Sequence, residues 1–282
     1  MSNEFCWVDT HCHLDAPEFS DRLSMVVSSA QQSGLKAILV PAVRAGDGKR
    51  LSALTTQYHQ SIPGLVYTLG IHPLYTPTAK EGDLQVLESE ILQALTDPRF
   101  VGIGEIGLDY FVPGLDSQRQ ELYFQAQLSL AEKYHLPVIL HVRRSCDAIL
   151  KALRRRSISG GIAHAFNGSL QQAEQFIGLG FKLGFGGAAT YERALHLRRL
   201  LKDLPLDCIV TETDAPDIPP AWLREEGGAH NEPAFLPRIA GVLADIRGIH
   251  QSVLMDAVWQ NALQAVPRWS MLLSKPHSLS VA

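Results

Sequence analysis

Short apolar runs rich in β-branched residues alternate along the chain with longer segments of helical periodicity. The runs predict strands over 5–11, 36–42, 64–72, 99–107, 136–142, 160–166, 181–187 and 207–214. The longest helical pattern covers 117–135, with Ser117 placed as its N-cap. Another covers 169–180, with Ser169 placed to cap it and glycines placed to end it. Eight strand–helix repeats predict an α/β protein, most simply a closed (β/α)8 TIM barrel. An open doubly wound sheet is the other arrangement of such repeats, but no Gly-x-Gly-x-x-Gly turn follows the first strand. No Pro-, Gly- or Ser-rich linker interrupts the pattern, so residues 1–274 are expected to form one domain and 275–282 a frayed tail. The stretch 215–233, rich in Pro and Gly, reads as a loop over the active end.

The polar residues are not scattered over this pattern. Those able to hold a metal fall at or just beyond the C-terminal ends of the expected strands. His11 and His13 follow the first, His72 the third, Glu105 the fourth, His141 the fifth, His164 the sixth and Asp214 the eighth. In a barrel these ends ring one mouth, where such folds carry their chemistry. Strand alternation would point His11 and His13 to the same side, with Asp9 beneath them and Cys12 turned away. A lone histidine at a strand end is more often a hydrogen-bonded structural residue than a ligand. Glu105 and Asp214 are harder to explain that way. Each sits in an apolar strand, where an unpaired carboxylate costs several kcal/mol. Taken together, the set predicts a metal centre. His59, His135, His196, His230, His250 and His277 lie elsewhere, although His230 is in the long loop.

Composition narrows the picture only a little. The formal net charge of the 282 residues is −4, so there is no global basic signature for nucleic acid, although local basic patches remain. The basic clusters at 154–156 and 198–202 read mainly as solvated helix faces. Four cysteines without a Cys-x-x-Cys spacing suit reduced thiols. No apolar run approaches the roughly 20 residues that span a bilayer, and the start has no signal-peptide pattern. A cytoplasmic protein without membrane association is expected, and nothing calls for an obligate protein partner.

The ordered segments "DTHCHLD", "GIHP", "GEIGLDY", "PVILHVR", "HAFNGS", "KLGFGG" and "ETDAP" resemble those of the TatD-related metal-dependent deoxyribonucleases, which are amidohydrolase-like barrels. The resemblance extends from residue 8 to about residue 265. It implies a two-metal site: His11 and His13 on one ion with Asp214, His141 and His164 on the other, and Glu105 bridging them. It also implies that His72 and Arg143 face the substrate. The chain departs from the family pattern at Ala165, Asn167 and Asp217, none of them an expected ligand.

Hydrolysis of a phosphodiester needs a nucleophile, neutralisation of phosphoryl charge and help for the leaving alkoxide. Two divalent ions supply all three. Imidazoles and carboxylates suit Zn²⁺ or Mn²⁺ and tolerate Mg²⁺. Asp214 is placed to ligate and to accept a proton, so Asp214 and Glu105 are the candidate catalytic residues. Glu212, two residues earlier, reads as either a supporting partner or a barrel-interior hydrogen-bonder, and Asp9 as a further support. Arg143 suits a phosphate, or is a surface arginine with a buried stem. Tyr75, Tyr110, Phe111, Tyr191 and Trp222 are possible stacking partners for bases. The expected substrate is the end of a DNA or oligonucleotide strand. The same ligands would serve hydrolysis of another ester, lactone, amide, aminoacyl ester or small phosphoester. A metal-holding binding protein without turnover is the third reading.

Overall fold

The computed structural model describes residues 6–228 and 230–273; the tail expected over 275–282 lies outside these residues. Eight strands form one all-parallel sheet in sequence order. They are β1 (Trp7–Asp9), β2 (Leu35–Pro41), β3 (Gly64–Leu69), β4 (Phe100–Asp109), β5 (Val138–Arg143), β6 (Gly161–Ala163), β7 (Phe181–Phe185) and β8 (Ile209–Thr211). The seam between β1 and β8 is joined by Thr10 N donating to Thr211 O at 3.0 Å and Thr211 Oγ1 donating to Val8 O at 3.1 Å. The result is a (β/α)8 barrel. Strands in such a barrel are covered on both faces and therefore read as unbroken apolar runs. Every residue of β3 and β4 is buried, Glu105 and Asp109 included.

Helices α1 (Leu23–Gln32), α2 (Gly48–Gln57), α3 (Asp83–Ala94), α4 (Ser117–Tyr134), α5 (Cys146–Leu153), α6 (Leu170–Gly178) and α7 (Leu195–Asp203) return the chain between strands. A short α8 (Ala221–Glu225) follows β8, and α9 (Leu236–Arg247) and α10 (Gln251–Ala265) complete the cover. The stretch 215–233 is therefore not all loop, and Trp222 belongs to α8 and is buried rather than offered to a base.

Helix α4 is capped by Asp116, not by Ser117 as the sequence suggested. The Asp116 carboxylate accepts from the backbone N–H groups of Gln118 and Arg119, and Ser117 is already helical. Helix α6 has the expected cap at Ser169, extended to a capping box: Ser169 Oγ accepts from Gln172 N while Gln172 Oε1 accepts from Ser169 N. Ser169→Ala should lower stability by about 1 kcal/mol. A urea-unfolding midpoint equal to that of the unchanged protein would show that the cap contributes nothing.

Glycine makes room at two points near the mouth. A Cβ at Gly107 would lie 2.0 Å from the His141 carbonyl oxygen, and φ there is +153°. A Cβ at Gly184 would lie 2.1 Å from Glu212 Oε2. The first lets β4 and β5 approach beside His141. The second leaves the barrel interior open for a carboxylate.

Candidate metal centre

Strand β1 ends at Asp9, so His11 and His13 stand on the turn beyond it and not on a pleated strand. They converge nonetheless. Their backbone is pinned from two sides, with Cys12 N donating to Leu39 O and His13 N donating to Ala215 O. Cys12 is buried on the other side of this turn. The two Nε2 atoms lie 3.3 Å apart. Strand β4, in contrast, runs past the glycine that was expected to end it, so Glu105 sits within the strand. His141 lies within β5, His164 just beyond β6 and Asp214 three residues beyond β8.

Glu105 is the hub. Its Oε2 lies 3.2 Å from His11 Nε2 and 3.5 Å from His13 Nε2. Its Oε1 lies 3.0 Å from His141 Nδ1 and 3.3 Å from His72 Nε2. Asp214 faces the same centre from the turn after β8. Its Oδ1 is 3.5 Å from His11 Nε2 and 3.6 Å from His13 Nε2, and its Oδ2 is 3.6 Å from His164 Nε2. The His11 and His164 rings stack with centroids 3.6 Å apart. Asp214 holds a left-handed backbone, φ +57°, fixed by its N–H donating to His11 O at 2.8 Å. The structure thus brings together all six residues expected as ligands.

A metal fits this donor set. The His11 and His13 nitrogens that meet at 3.3 Å also face a carboxylate oxygen each of Glu105 and Asp214, so four atoms of the kinds that ligate divalent cations converge on one point. His11 Nδ1 and Glu212 Oε2 are buried without a hydrogen-bond partner among the described residues, while His164 Nδ1 is held 3.2 Å from Glu212 Oε1. Three overlapping groups have ligand atoms within 4.8 Å of one another: His11–His13–Glu105, His11–His164–Asp214 and His72–Glu105–His141.

His72 is the weakest ligand of these despite its position. It caps the 3₁₀ turn Pro73–Thr78, and its Nδ1 accepts from Leu74 N at 3.1 Å. In the neutral ring the proton then sits on Nε2, which faces Glu105 as a donor rather than as a lone pair. His141 is arranged the other way. Asp109 Oδ2 lies 3.0 Å from His141 Nε2, so the carboxylate takes that N–H and leaves Nδ1 directed at the centre. Asp109 also accepts from Phe111 N and Val112 N. The sequence reading did not single it out, although it lies four residues after Glu105 on the same strand and therefore on the same face.

The remaining sequence candidates support the site from behind or from its rim. Asp9 touches neither imidazole. Its carboxylate accepts from His11 N, Thr213 N and Thr213 Oγ1, tying β1 to the segment that carries Asp214. Burial raises its pKa to about 7. Glu212 accepts from Ala165 N at 2.6 Å and lies 3.2 Å from His164 Nδ1. Arg143 is half exposed at the rim, 3.9 Å from Asp109, with its guanidinium 4.0 Å from the centre of the Phe111 ring. His230 is exposed.

Charge is distributed unevenly among these groups. Burial alone would raise the pKa of Glu105, but His72 and His11 outweigh it and hold the carboxyl well below the usual range. Burial raises Asp214 to about 6. Burial pushes His11 down, and neighbouring His164 adds to the effect. Burial opposes a proton on His13 and His164 as well. There the carboxylates prevail: Glu105 and Asp214 raise His13 to about 9, and Glu212 and Asp214 raise His164 to about 10. The centre opens into a cleft of about 1660 Å³ at the barrel mouth.

The description "TatD related DNase" matches residues 8–266. The chain is 39% identical to the Escherichia coli protein named "Uncharacterized metal-dependent hydrolase YjjV", over 90% of this chain and 95% of the relative. It is 32% identical to the "3'-5' ssDNA/RNA exonuclease TatD" of a Rahnella species, over 89% of this chain and 94% of the relative. The crystal structure of Escherichia coli YjjV superposes with a TM-score of 0.86, covering 93% of this chain and 98% of that one at 36% identity. With a family match that spans the first barrel strand to the last helix, this chain belongs to the TatD related DNases.

Proposed function

We propose that the chain is a divalent-metal-dependent hydrolase that cleaves phosphodiester bonds at the ends of DNA strands. The observation that carries this reading is the hub geometry of Glu105, whose two oxygens face different histidines at 3.0–3.5 Å in a family of named deoxyribonucleases. His11, His13, Glu105, His141, His164 and Asp214 would hold two divalent ions, with Zn²⁺, Mn²⁺ and Mg²⁺ as the candidates. Bound there, such ions would supply a nucleophile near neutral pH and neutralise phosphoryl charge. Asp214, whose two oxygens lie 3.5–3.6 Å from the His11, His13 and His164 nitrogens, accepts the proton of the attacking water. His72, its Nε2–H directed at Glu105, lines the substrate side of the centre, and Arg143 binds phosphate at the rim. Asp109 and Glu212 orient His141 and His164, and Asp9 fixes the two segments that carry His11 and Asp214.

The test is a substrate panel with metal-loaded protein: end-labelled single-stranded DNA, the same sequence as RNA, and small phosphoester, ester, lactone and amide substrates. Stepwise shortening of DNA is expected. Turnover of a small ester faster than that of any oligonucleotide would overturn the proposal.

Metal affinity should depend on pH in a definite direction. Without metal, His13 and His164 keep their protons until about pH 9 and 10. Coordination requires the neutral rings, so affinity is lost as pH falls below this range. Between pH 8 and 6 the loss should be about tenfold per unit for each imidazole proton displaced. Titration calorimetry in buffers of different ionisation enthalpy would measure it. Affinity independent of pH, with no proton release, would show that these histidines are not ligands.

A further inference from the structure

The cleft carries two arginine–aromatic platforms, one on each side of the His72–His141 pair. Arg143 and Arg144 lie over the Phe111 ring at 4.0 and 4.6 Å. Across the pair, Arg44 lies over Tyr75 at 4.3 Å. The Tyr75 ring in turn stands 6.1 Å from His72, and the His72 and His141 rings are 4.4 Å apart. We infer that Arg44 on Tyr75 is a second phosphate subsite, so that the protein grips two phosphates of one strand and selects chains over mononucleotides. This rests on the phosphodiesterase reading above.

Three observations carry the inference. First, Arg44 has no ion-pair partner among the described residues, whereas Arg50 in the same cleft is neutralised by Asp15 and Asp47. Most other stacked cations of the molecule are occupied. Lys133 over Tyr134 pairs with Glu88, Arg238 over Trp222 pairs with Glu226, and Arg119 over Tyr123 donates to the carbonyls of Thr76 and Ala79. An unpaired guanidinium held over a ring beside a reaction centre is poised for an anion.

Second, the loop under Arg44 is built. Asp47 Oδ2 accepts from Arg44 N at 3.1 Å, and Glu90 accepts from both Gly46 N and Gly48 N at 2.9 and 3.0 Å. Gly46 supplies the left-handed turn this needs, φ +94°. Third, the opposite platform is built in the same manner, with Asp109 holding the backbone of Phe111 and Val112. Two preorganised cations bind a chain at less entropic cost than two free ones. Arginine faces and aromatic rings also accept bases without regard to sequence, as an end-acting enzyme requires.

The test uses metal-loaded protein and fluorescein-labelled thymidylates with nuclease-resistant phosphorothioate linkages. Fluorescence anisotropy gives the affinity gain from one phosphate to three. That gain is expected to be about tenfold, the scale of one phosphate contact, and to shrink to about twofold in Arg44→Ala. The slope of log affinity against log salt should flatten by about 0.7, the single-strand value for one phosphate. Arg44→Lys should restore the slope but not the whole gain, because lysine keeps the charge and loses the planar fork. A length-dependent gain unchanged in Arg44→Ala would overturn the subsite. So would an equal loss for one-phosphate and three-phosphate ligands, which would put Arg44 at the scissile group or in the fold. Cleavage of unmodified tetrathymidylate is followed in parallel. If the unchanged protein binds the chain and Arg44→Ala weakens it, but no cleavage occurs, the phosphodiesterase reading falls and the subsite stands.

Discussion

With asparagine at position 214, turnover is expected to fall by about 10²–10⁴-fold in protein that still carries its metal, the usual span for a lost general base. Asparagine keeps an oxygen that can face His11 and His13 but cannot accept a proton. Asp214 sits three residues beyond β8 with a left-handed backbone fixed by His11 O, so the small isosteric change leaves the local chain in place. The comparison that isolates its role is His13→Gln, which removes a nitrogen next to Glu105 and Asp214 but no proton acceptor. That variant should lose metal in part and regain rate as metal is added. Rate measured against metal concentration, with metal content determined alongside, separates the two. Full recovery of Asp214→Asn on adding metal, with His13→Gln inactive at full occupancy, would reverse the roles.

Glu105→Ala should be the more damaging change. It removes the only carboxylate among the described residues that lies within 3.5 Å of His11, His13, His72 and His141 together. Metal affinity should fall by more than about 100-fold, the upper end for losing a mere outer partner of a ligand. Glutamine at this position should recover little, because a neutral amide offsets no cationic repulsion. Elemental analysis after gel filtration, together with thermal unfolding in the presence and absence of metal, reads both effects. A Glu105→Ala protein that retains two ions per chain would remove Glu105 from the centre.

Much of this architecture is legible in the sequence because the barrel imposes simple rules on it. Strands covered on both sides must be apolar throughout, so a carboxylate such as Glu105 stands out against its neighbours. The mouth collects whatever lies at strand ends, so His11, His164 and Asp214 could be grouped before any contact was known. What escaped detection depends on contacts between distant segments. Strand β4 continues through Gly107, which reads as a stop along the chain but is a close approach to His141 in space. The donor role of His72 is set by the backbone N–H of Leu74, and no periodicity reveals it. Tyr75 was visible as an aromatic residue, whereas the Arg44 that stacks on it is 31 positions away on another loop. The α4 cap was misplaced by one residue because Asp116 and Ser117 are both good caps, and only the hydrogen bonds to Gln118 and Arg119 distinguish them.

The seam between the first and last strands makes the centre a record of the chain's completion. His11 and His13 emerge first in synthesis, yet Asp214 joins them only when β8 docks against β1 through Thr10 and Thr211. These contacts span about 200 positions, and such long loops close late in folding. A nascent chain that has not yet reached Asp214 therefore lacks one of the two carboxylates of the centre, however well its earlier strands have formed. The complete set of ligand-type side chains at the mouth is thus assembled only once the last strand has closed the ring.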